Sequence, residues 1–415
     1  MSIKKFWYNN ICWICMIIPF MAGAQTEALP GKKDYSFLKL DNNKLHEPDE
    51  KAMQYFYRQV DTLIRKGDRQ VNIIQIGDSH IQAGFFPNSV RNKLQSVMFF
   101  GNGGRGFIFP YKIAKTNNPW NYKIAHTGEW EYCKNIQRNA DCPCGIAGIT
   151  VTTRDTSAAL EIYPNVSEDD AFYGSTRLRI FHRNDQTSFK IVLVEGVAEK
   201  LVENELYTEF TFSEEYDTIK LKVAQTEQTQ QQFQLYGFSL ETDYPGVVYS
   251  SVGVNGADIP AFLRCELLAP QLEMLKPDLV IISLGTNDAY MSRFDAQEFK
   301  RNYTRLISNI QKALPEASII LTTPGDGYRQ RKYYNYNYTK TREVIYELSR
   351  ERNVAVWDFY TVMGGPNSIY QWYKAGLAQG DKIHLTMPGY KLQGELFYDA
   401  LLKSYYKYLD NYPAQ

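Results

Sequence analysis

Ser79 closes an apolar run, Val71-Asn72-Ile73-Ile74-Gln75-Ile76, and sits in the turn Gly77-Asp78-Ser79-His80. Three further blocks follow in order: Gly253-Val254-Asn255-Gly256, Gly285-Thr286-Asn287-Asp288 and Asp381-Lys382-Ile383-His384. A serine hydroxyl is a poor nucleophile until a base lies within hydrogen-bond reach and a third group orients that base. Of the five histidines, His46, His80, His126, His182 and His384, only His384 has a carboxylate three residues earlier and a helix signal just after it. Thr386 is a plausible N-cap for that helix. Ser79 as nucleophile, His384 as base and Asp381 as its orienting partner would serve attack on a carbonyl. The resulting oxyanion needs donors, and losing one typically lowers the rate by about two to three orders of magnitude. The Ser79 N–H, the Gly256 N–H and the Asn287 side-chain amide are the candidates. Gly253 rivals Gly256, since either glycine is also explained by turn geometry, and Asn287 alone would suit an Asx turn.

These residues need a scaffold that brings distant segments to one edge. Val71–Ile76 reads as a strand buried on both faces, and the same strand-then-motif layout returns at Leu279–Leu284, Ser318–Leu321 and Val354–Trp357. Helical spacing appears in Ala52–Ile64, Ser89–Met98 and Asp295–Leu314; in the last, Phe299, Tyr303, Leu306, Ile307, Ile310 and Leu314 share one face. The alternation predicts a parallel sheet with helices on both sides, whose ligands bind beyond the carboxyl ends of the strands. Residues 110–245 differ. Arg177-Leu178-Arg179-Ile180 and Ile219-Lys220-Leu221-Lys222-Val223 alternate with period two, and Phe189–Val194, Thr208–Phe212 and Phe233–Leu240 are further strands. Short strands at this spacing predict a β-sandwich, inserted between the halves of the α/β domain.

The 415 residues carry 46 basic and 46 acidic side chains, so nothing in the charge balance points to nucleic acid or an anionic membrane surface. Tyrosine is frequent, with 31 residues; it combines an apolar face with a hydroxyl, as sugar-binding surfaces require, although most are expected in core and ordinary surface. Tyr333-Tyr334-Asn335-Tyr336-Asn337-Tyr338 is either a surface loop or a wall of the cleft. Lys4 and Lys5, the apolar stretch Ile11–Met21 and Ala22-Gly23-Ala24 read as a secretory signal cleaved before Gln25. No other segment is apolar enough to span a membrane. Cys133, Cys142, Cys144 and Cys265 then remain, and in an oxidising compartment Cys133 pairs with Cys142 or Cys144. Three thiols without a nearby histidine do not complete a zinc site. The glycine-rich stretch 101–107 reads as a loop, but it lacks the lysine and the context of a phosphate-binding loop.

In this order, Gly-Asp-Ser, the oxyanion glycine, Gly-Thr-Asn-Asp and Asp-x-x-His resemble the SGNH hydrolases, also called GDSL esterases, over residues 71–109 and 246–408. The resemblance implies a flavodoxin-like three-layer α/β/α domain and ester hydrolysis through an acyl-enzyme. It casts Ser79 as nucleophile, His384 as base, Asp381 as orienting group, and Ser79, Gly256 and Asn287 as the oxyanion hole, with no cofactor or metal. His80 departs from the leucine that many members carry, and packing of the turn is its expected role. A narrower resemblance, to periplasmic peptidoglycan O-acetylesterases, rests on Gly-Asp-Ser-His, the glycine-rich segment, the β-insert and Gly-Val-Asn-Gly-Ala. The implied layout is a signal peptide at 1–24, a lead-in at 25–68, hydrolase halves at 69–109 and 246–408, and a carbohydrate-module-like β-sandwich at 110–245. The expected substrate is an acetylated glycan outside the cytoplasm. An acetylesterase on other polysaccharides or lipid esters, an O-acetyltransferase and a non-catalytic glycan-binding protein stand as alternatives.

Overall fold

The apolar runs become neighbours in one sheet. Gln70–Gly77 lies in the middle, with Gly246–Gly253 parallel on one side and Leu279–Ser283 parallel on the other. Ser318–Thr322 and Ala355–Trp357 continue outward, also parallel. In chain order these strands lie 2-1-3-4-5, the flavodoxin-like arrangement. The lead-in adds Leu45–His46 antiparallel to Ala355–Trp357 and so covers that edge. This is a computed structural model; it describes residues 35–412 apart from 97–100, 140–141 and 167–170. The elements described here belong to the unit Phe37–Gln415. The signal segment 1–24 lies outside the described residues, among which no helix is long and apolar enough to cross a membrane.

Helices cover both faces, which is why Val71, Ile73, Ile74, Ile76 and Leu279–Ile282 are all buried and read as continuous apolar runs. Gln54–Lys66, Phe85–Ser96 and Met387–Asn411 form one layer. Ile259–Leu263, Leu268–Leu275, Ala296–Ala313 and Asn337–Arg352 form the other. Asp295 caps Ala296–Ala313 by accepting from the N–H groups of Gln297 and Glu298. Gln54–Lys66 ends at Gly67 in the left-handed region, whose N–H returns to the Leu63 carbonyl. Phe85–Ser96 starts four residues before the expected Ser89. Pro87 falls in its first turn, where a missing N–H does no harm.

The glycine-rich segment is a strand, Asn102–Ile108, not a loop. It runs parallel to Gly246–Gly253 and antiparallel to Phe233–Glu241. Gly104 has φ 134° and a Cβ there would stand 2.6 Å from the Glu241 Cα; Gly106 has φ 75° and a Cβ would stand 2.6 Å from the Ser250 Oγ. The glycines permit close strands and the register shifts on both sides, which local composition cannot distinguish from a flexible turn.

Through Asn102–Ile108 the central sheet continues into the 110–245 segment: Phe233–Glu241, Ser175–His182, Tyr207–Tyr216 and Lys200–Glu203 follow, all antiparallel. Lys123–Thr127, Ala159–Tyr163, Ile219–Ala224 and Lys190–Leu193 form a second, four-stranded sheet. Ile162, Leu221 and Val223 of that sheet share a core with Leu178, Ile180 and Leu235 of the first. The period-two pattern is explained by this packing. Leu178 and Ile180 face inward, while Arg177 and Arg179 pair with Glu241 and Glu209 on the other face. Hydrogen bonding thus runs across position 110, and the β-rich segment shares a sheet with the α/β layer. Its disulfide joins Cys133 to Cys142, and burial pushes the Cys144 thiol up to about 11.

Candidate active site

Gln70–Gly77 is the strand at which the sheet order reverses, so a crevice opens beyond its carboxyl end. Gly77 is required there: a Cβ would stand 2.2 Å from the Ile81 Cγ1 and 2.8 Å from the Ser283 carbonyl oxygen. Asp78 then caps the short helix Ser79–Gln82 by accepting from the His80 N–H at 3.0 Å. Ser79 is the first residue of that helix and is only half-buried.

His384 reaches Ser79 from 305 residues further along the chain. Its Nε2 lies 2.8 Å from the Ser79 Oγ and its Nδ1 lies 2.7 Å from the Asp381 Oδ2. The other Asp381 oxygen accepts from the backbone N–H groups of Ile383 and His384 at 2.9 and 3.0 Å. Lys382 takes φ 55° to make this tight loop, and the Thr386 hydroxyl caps the Met387–Asn411 helix immediately after it. With Nδ1–H donated to the carboxylate, Nε2 is left as the acceptor for the serine proton. The hydrogen bond to Asp381 raises the His384 pKa above its ordinary value, against the opposing effect of burial. Burial alone would raise Asp381, but the bonds from His384 and the two N–H groups hold it down to about 2.

The two glycines of the second block have separate places. A Cβ on Gly253 would stand 2.3 Å from the Gln82 nitrogen and 2.5 Å from the Asp78 carbonyl oxygen, and its N–H donates to the Tyr111 Oη at 3.3 Å. Gly253 therefore lets the second strand press against the serine turn. Gly256, with φ 81° and open space where a Cβ would be, lines the cavity with Ser79. Asn287 lines it too, from the helix Thr286–Tyr290. Its Nδ2 donates one hydrogen to the Ala257 carbonyl at 2.9 Å. An amide nitrogen carries two, so the second remains for a ligand. The cavity measures about 540 Å³ and is also walled by His384, Ile383, Tyr290, Tyr390 and Asn117, within the usual range for a small-molecule site. Asn117 is the contribution of the 110–245 segment. Tyr333–Tyr338 contributes none of the wall; Tyr333–Tyr334 is a strand of a short hairpin, and Asn337 begins a helix.

Some supporting residues carried no role in the sequence reading. Asp288 accepts from the Ile259 N–H, tying the Asn287 turn to the loop that holds Gly256; burial, with Asp258 nearby, raises its pKa to about 7. Gln82 accepts from the Asn255 N–H at 2.7 Å and donates to the Asn117 carbonyl at 2.8 Å. Each belongs to a quoted motif or the turn beside one, but its partner is a backbone group far along the chain. His80 packs, and its neighbour is His384: its ring stacks on His384 with centroids 5.1 Å apart, and its Nδ1 lies 2.9 Å from the Tyr390 Oη. Burial, and then the charge on His384, lower its pKa to about 3, so it stays neutral beside His384. The remaining histidines serve elsewhere. His182 is buried and bonded to the Arg183 carbonyl and Thr208, His46 lies edge-on to Tyr346, and His126 belongs to the four-stranded sheet.

Residues 224–392 match the GDSL-like Lipase/Acylhydrolase family. That stretch includes Gly256, Asn287, Asp381 and His384, whereas Ser79 lies before it, on the far side of the β-rich segment. Among solved structures, a peptidoglycan O-acetylesterase is 20% identical, with a TM-score of 0.73, over 88% of this chain and 99% of its own. A lipase/acylhydrolase from Enterococcus faecalis is 24% identical over 38% of this chain and 76% of its own, with a TM-score of 0.31. An acetylxylan esterase from Geobacillus stearothermophilus is 18% identical over 39% and 73%, with a TM-score of 0.29. No curated protein sequence matches the chain. Over residues 224–392, and with a flavodoxin-like sheet order around them, the chain is similar to the GDSL-like lipases/acylhydrolases, which marks it as a carboxylic ester hydrolase.

Proposed function

We propose that the chain is an exported O-acetylesterase that deacetylates a carbohydrate, peptidoglycan by preference, through an acyl-enzyme on Ser79. The observation that carries this reading is the unbroken run of hydrogen bonds Asp381–His384–Ser79 at the wall of an open cavity. His384 Nε2 takes the Ser79 proton as Oγ attacks the ester carbonyl. The Ser79 and Gly256 N–H groups and the free Asn287 amide hydrogen receive the oxyanion. His384 then protonates the departing sugar oxygen, and a water deprotonated by the same nitrogen releases acetate. Asp381 holds the imidazole in the tautomer that accepts at Nε2 and stabilises its charged form.

Two observations support the substrate class. The peptidoglycan O-acetylesterase likeness covers 88% of this chain, so it extends into the 110–245 segment. That segment also reaches the cavity through Asn117, and we assign it substrate choice rather than chemistry. Export is supported by the signal-like start of the chain and by the Cys133–Cys142 disulfide, which suits an oxidising compartment. The test is acetate release from O-acetylated peptidoglycan, acetylated xylan and an aryl acetate. Turnover of peptidoglycan ahead of xylan is expected, and turnover of the aryl acetate alone sinks the glycan assignment.

Asn287→Ala is expected to lower kcat about 10²–10³-fold while changing KM little, because the amide bond strengthens mainly as charge develops on the oxygen. Steady-state kinetics on an aryl acetate check this. A rise in KM at constant kcat would place Asn287 in ground-state binding instead.

A further inference from the structure

The chain as a whole is balanced in charge, but one strip beside the cavity is not. A hairpin pairs Tyr328–Arg329 with Tyr333–Tyr334 and turns through Gln330 and Arg331, both at positive φ. It is tied to the site at two points. The Gln330 N–H donates to the Oη of Tyr290, a cavity residue, at 3.1 Å. The Tyr328 N–H donates to the carbonyl of Lys382, between Asp381 and His384, at 2.9 Å. The Lys382 ammonium lies 4.8, 5.5 and 5.9 Å from the ring centres of Tyr328, Tyr370 and Tyr373. Lys374 lies 4.7 Å from the ring of Tyr370. Tyr370 and Tyr373 stack on each other and are 37% and 44% exposed; Tyr333, under Lys332, is 53% exposed.

Among the described residues, Arg329, Arg331, Lys332, Lys374 and Lys382 share no ion pair with any carboxylate. A tyrosine ring orients an ammonium without neutralising it, so the strip keeps its positive charge. Like charges gathered this way repel one another and contribute nothing to the hairpin's stability; they do raise the local concentration of an anion at the cavity mouth. Flat exposed rings interleaved with cations fit a ligand that offers sugar faces and carboxylates together.

We propose that this strip is a binding subsite for a carboxylate-bearing glycan, which it guides so that the acetylated sugar enters the cavity. The subsite rests on the esterase reading and narrows its substrate. The carboxylates can come from peptide stems on the glycan or from uronate sugars, and the experiment separates these sources. One arm compares O-acetylated peptidoglycan fragments that have free stem carboxylates with the same fragments after amidation. The other compares O-acetylated xylooligosaccharides with and without uronate branches. Each kcat/KM is divided by that for an aryl acetate in the same preparation, so differences in folded fraction cancel.

The wild-type chain is expected to prefer the charged member of one pair by about tenfold, a value consistent with a few exposed charge contacts. That preference should fade as ionic strength rises from about 0.01 M to about 0.15 M. Replacing Arg331→Gln, Lys332→Gln and Lys374→Gln together, all exposed positions, should bring it close to one. The pair that shows the preference identifies the carboxylate source. No preference in either pair, or a preference the triple variant keeps in full, overturns the subsite. Failure to release acetate from peptidoglycan at all bears on the enzyme's substrate instead, and the xylooligosaccharide pair then still decides the subsite.

Discussion

Ser79→Ala is expected to lower kcat for a small aryl acetate on the order of 10⁶-fold while leaving the fold intact. Ser79 supplies the hydroxyl held 2.8 Å from the His384 Nε2, and without it the proposed acyl-enzyme cannot form. The substitution removes one oxygen from a half-buried side chain at the start of a short helix. The cap on that helix comes from Asp78, and the Ser79 backbone N–H survives in the variant. A small residual rate is expected, since oxyanion donors and binding still favour attack by water. Steady-state kinetics together with circular dichroism check the result. A well-folded variant that retains near wild-type turnover would exclude Ser79 as the nucleophile.

His384→Ala is expected to be nearly as severe, and Asp381→Asn milder at about 10⁴-fold. In the proposed mechanism the histidine moves the proton in both half-reactions, whereas the aspartate orients it. Asparagine keeps an oxygen for the Ile383 and His384 N–H groups, so the loop persists. Its amide, however, presents a hydrogen toward the His384 Nδ1. That favours the tautomer with the proton on Nε2, where it faces the Ser79 Oγ instead of accepting from it. The pH profile adds an independent check. The base must be neutral to act, so kcat/KM falls as pH drops through the pKa of free-enzyme His384. Asp381 raises that pKa above 6.5, placing the acid limb higher than for an isolated histidine. Asp381, held at about 2, stays ionised across this range. In Asp381→Asn the stabilising charge is gone, and the limb should move to lower pH as the plateau falls. An acid limb that does not move would remove Asp381 as the partner, and a nearly silent His384→Ala would remove the base.

The His80 ring stacked on His384 bears on both experiments. A second imidazole at 5.1 Å would disfavour a charged His384 if it were itself protonated. Burial lowers the His80 pKa to about 3, so it stays neutral where His384 titrates. The single acid limb therefore belongs to His384, and a profile with two ionisations of comparable weight between pH 5 and 8 would contradict this assignment.

Much of the hydrolase layer was legible in the chain because its signals are local. Val71–Ile76 and Leu279–Leu284 are apolar on both strand faces, which only a covered parallel sheet can bury. Ser79, Asn287 and His384 each carry a motif that a short strand-turn or turn-helix segment specifies by itself. The order of these blocks was enough to propose a nucleophile, a base and oxyanion donors. Other features depend on which segments meet. Gly253 and Gly256 are equivalent as turn glycines in sequence; the close approach of Gln82 and Asp78 to Gly253, and the place of Gly256 on the cavity wall, separate them. The run from Gly101 to Phe107 looks like a loop until Glu241 and Ser250 are found where its side chains would be. The partner of His80 and the continuation of the central sheet into the β-rich segment are likewise settled by contacts between distant residues, and the choice of Cys142 over Cys144 as the partner of Cys133 by local geometry that spacing does not record. Periodicity and capping report the environment of a residue within a turn or two of chain. Register between strands, and the approach of His384 to Ser79 across 305 positions, are set by packing of the whole core, which no local pattern records.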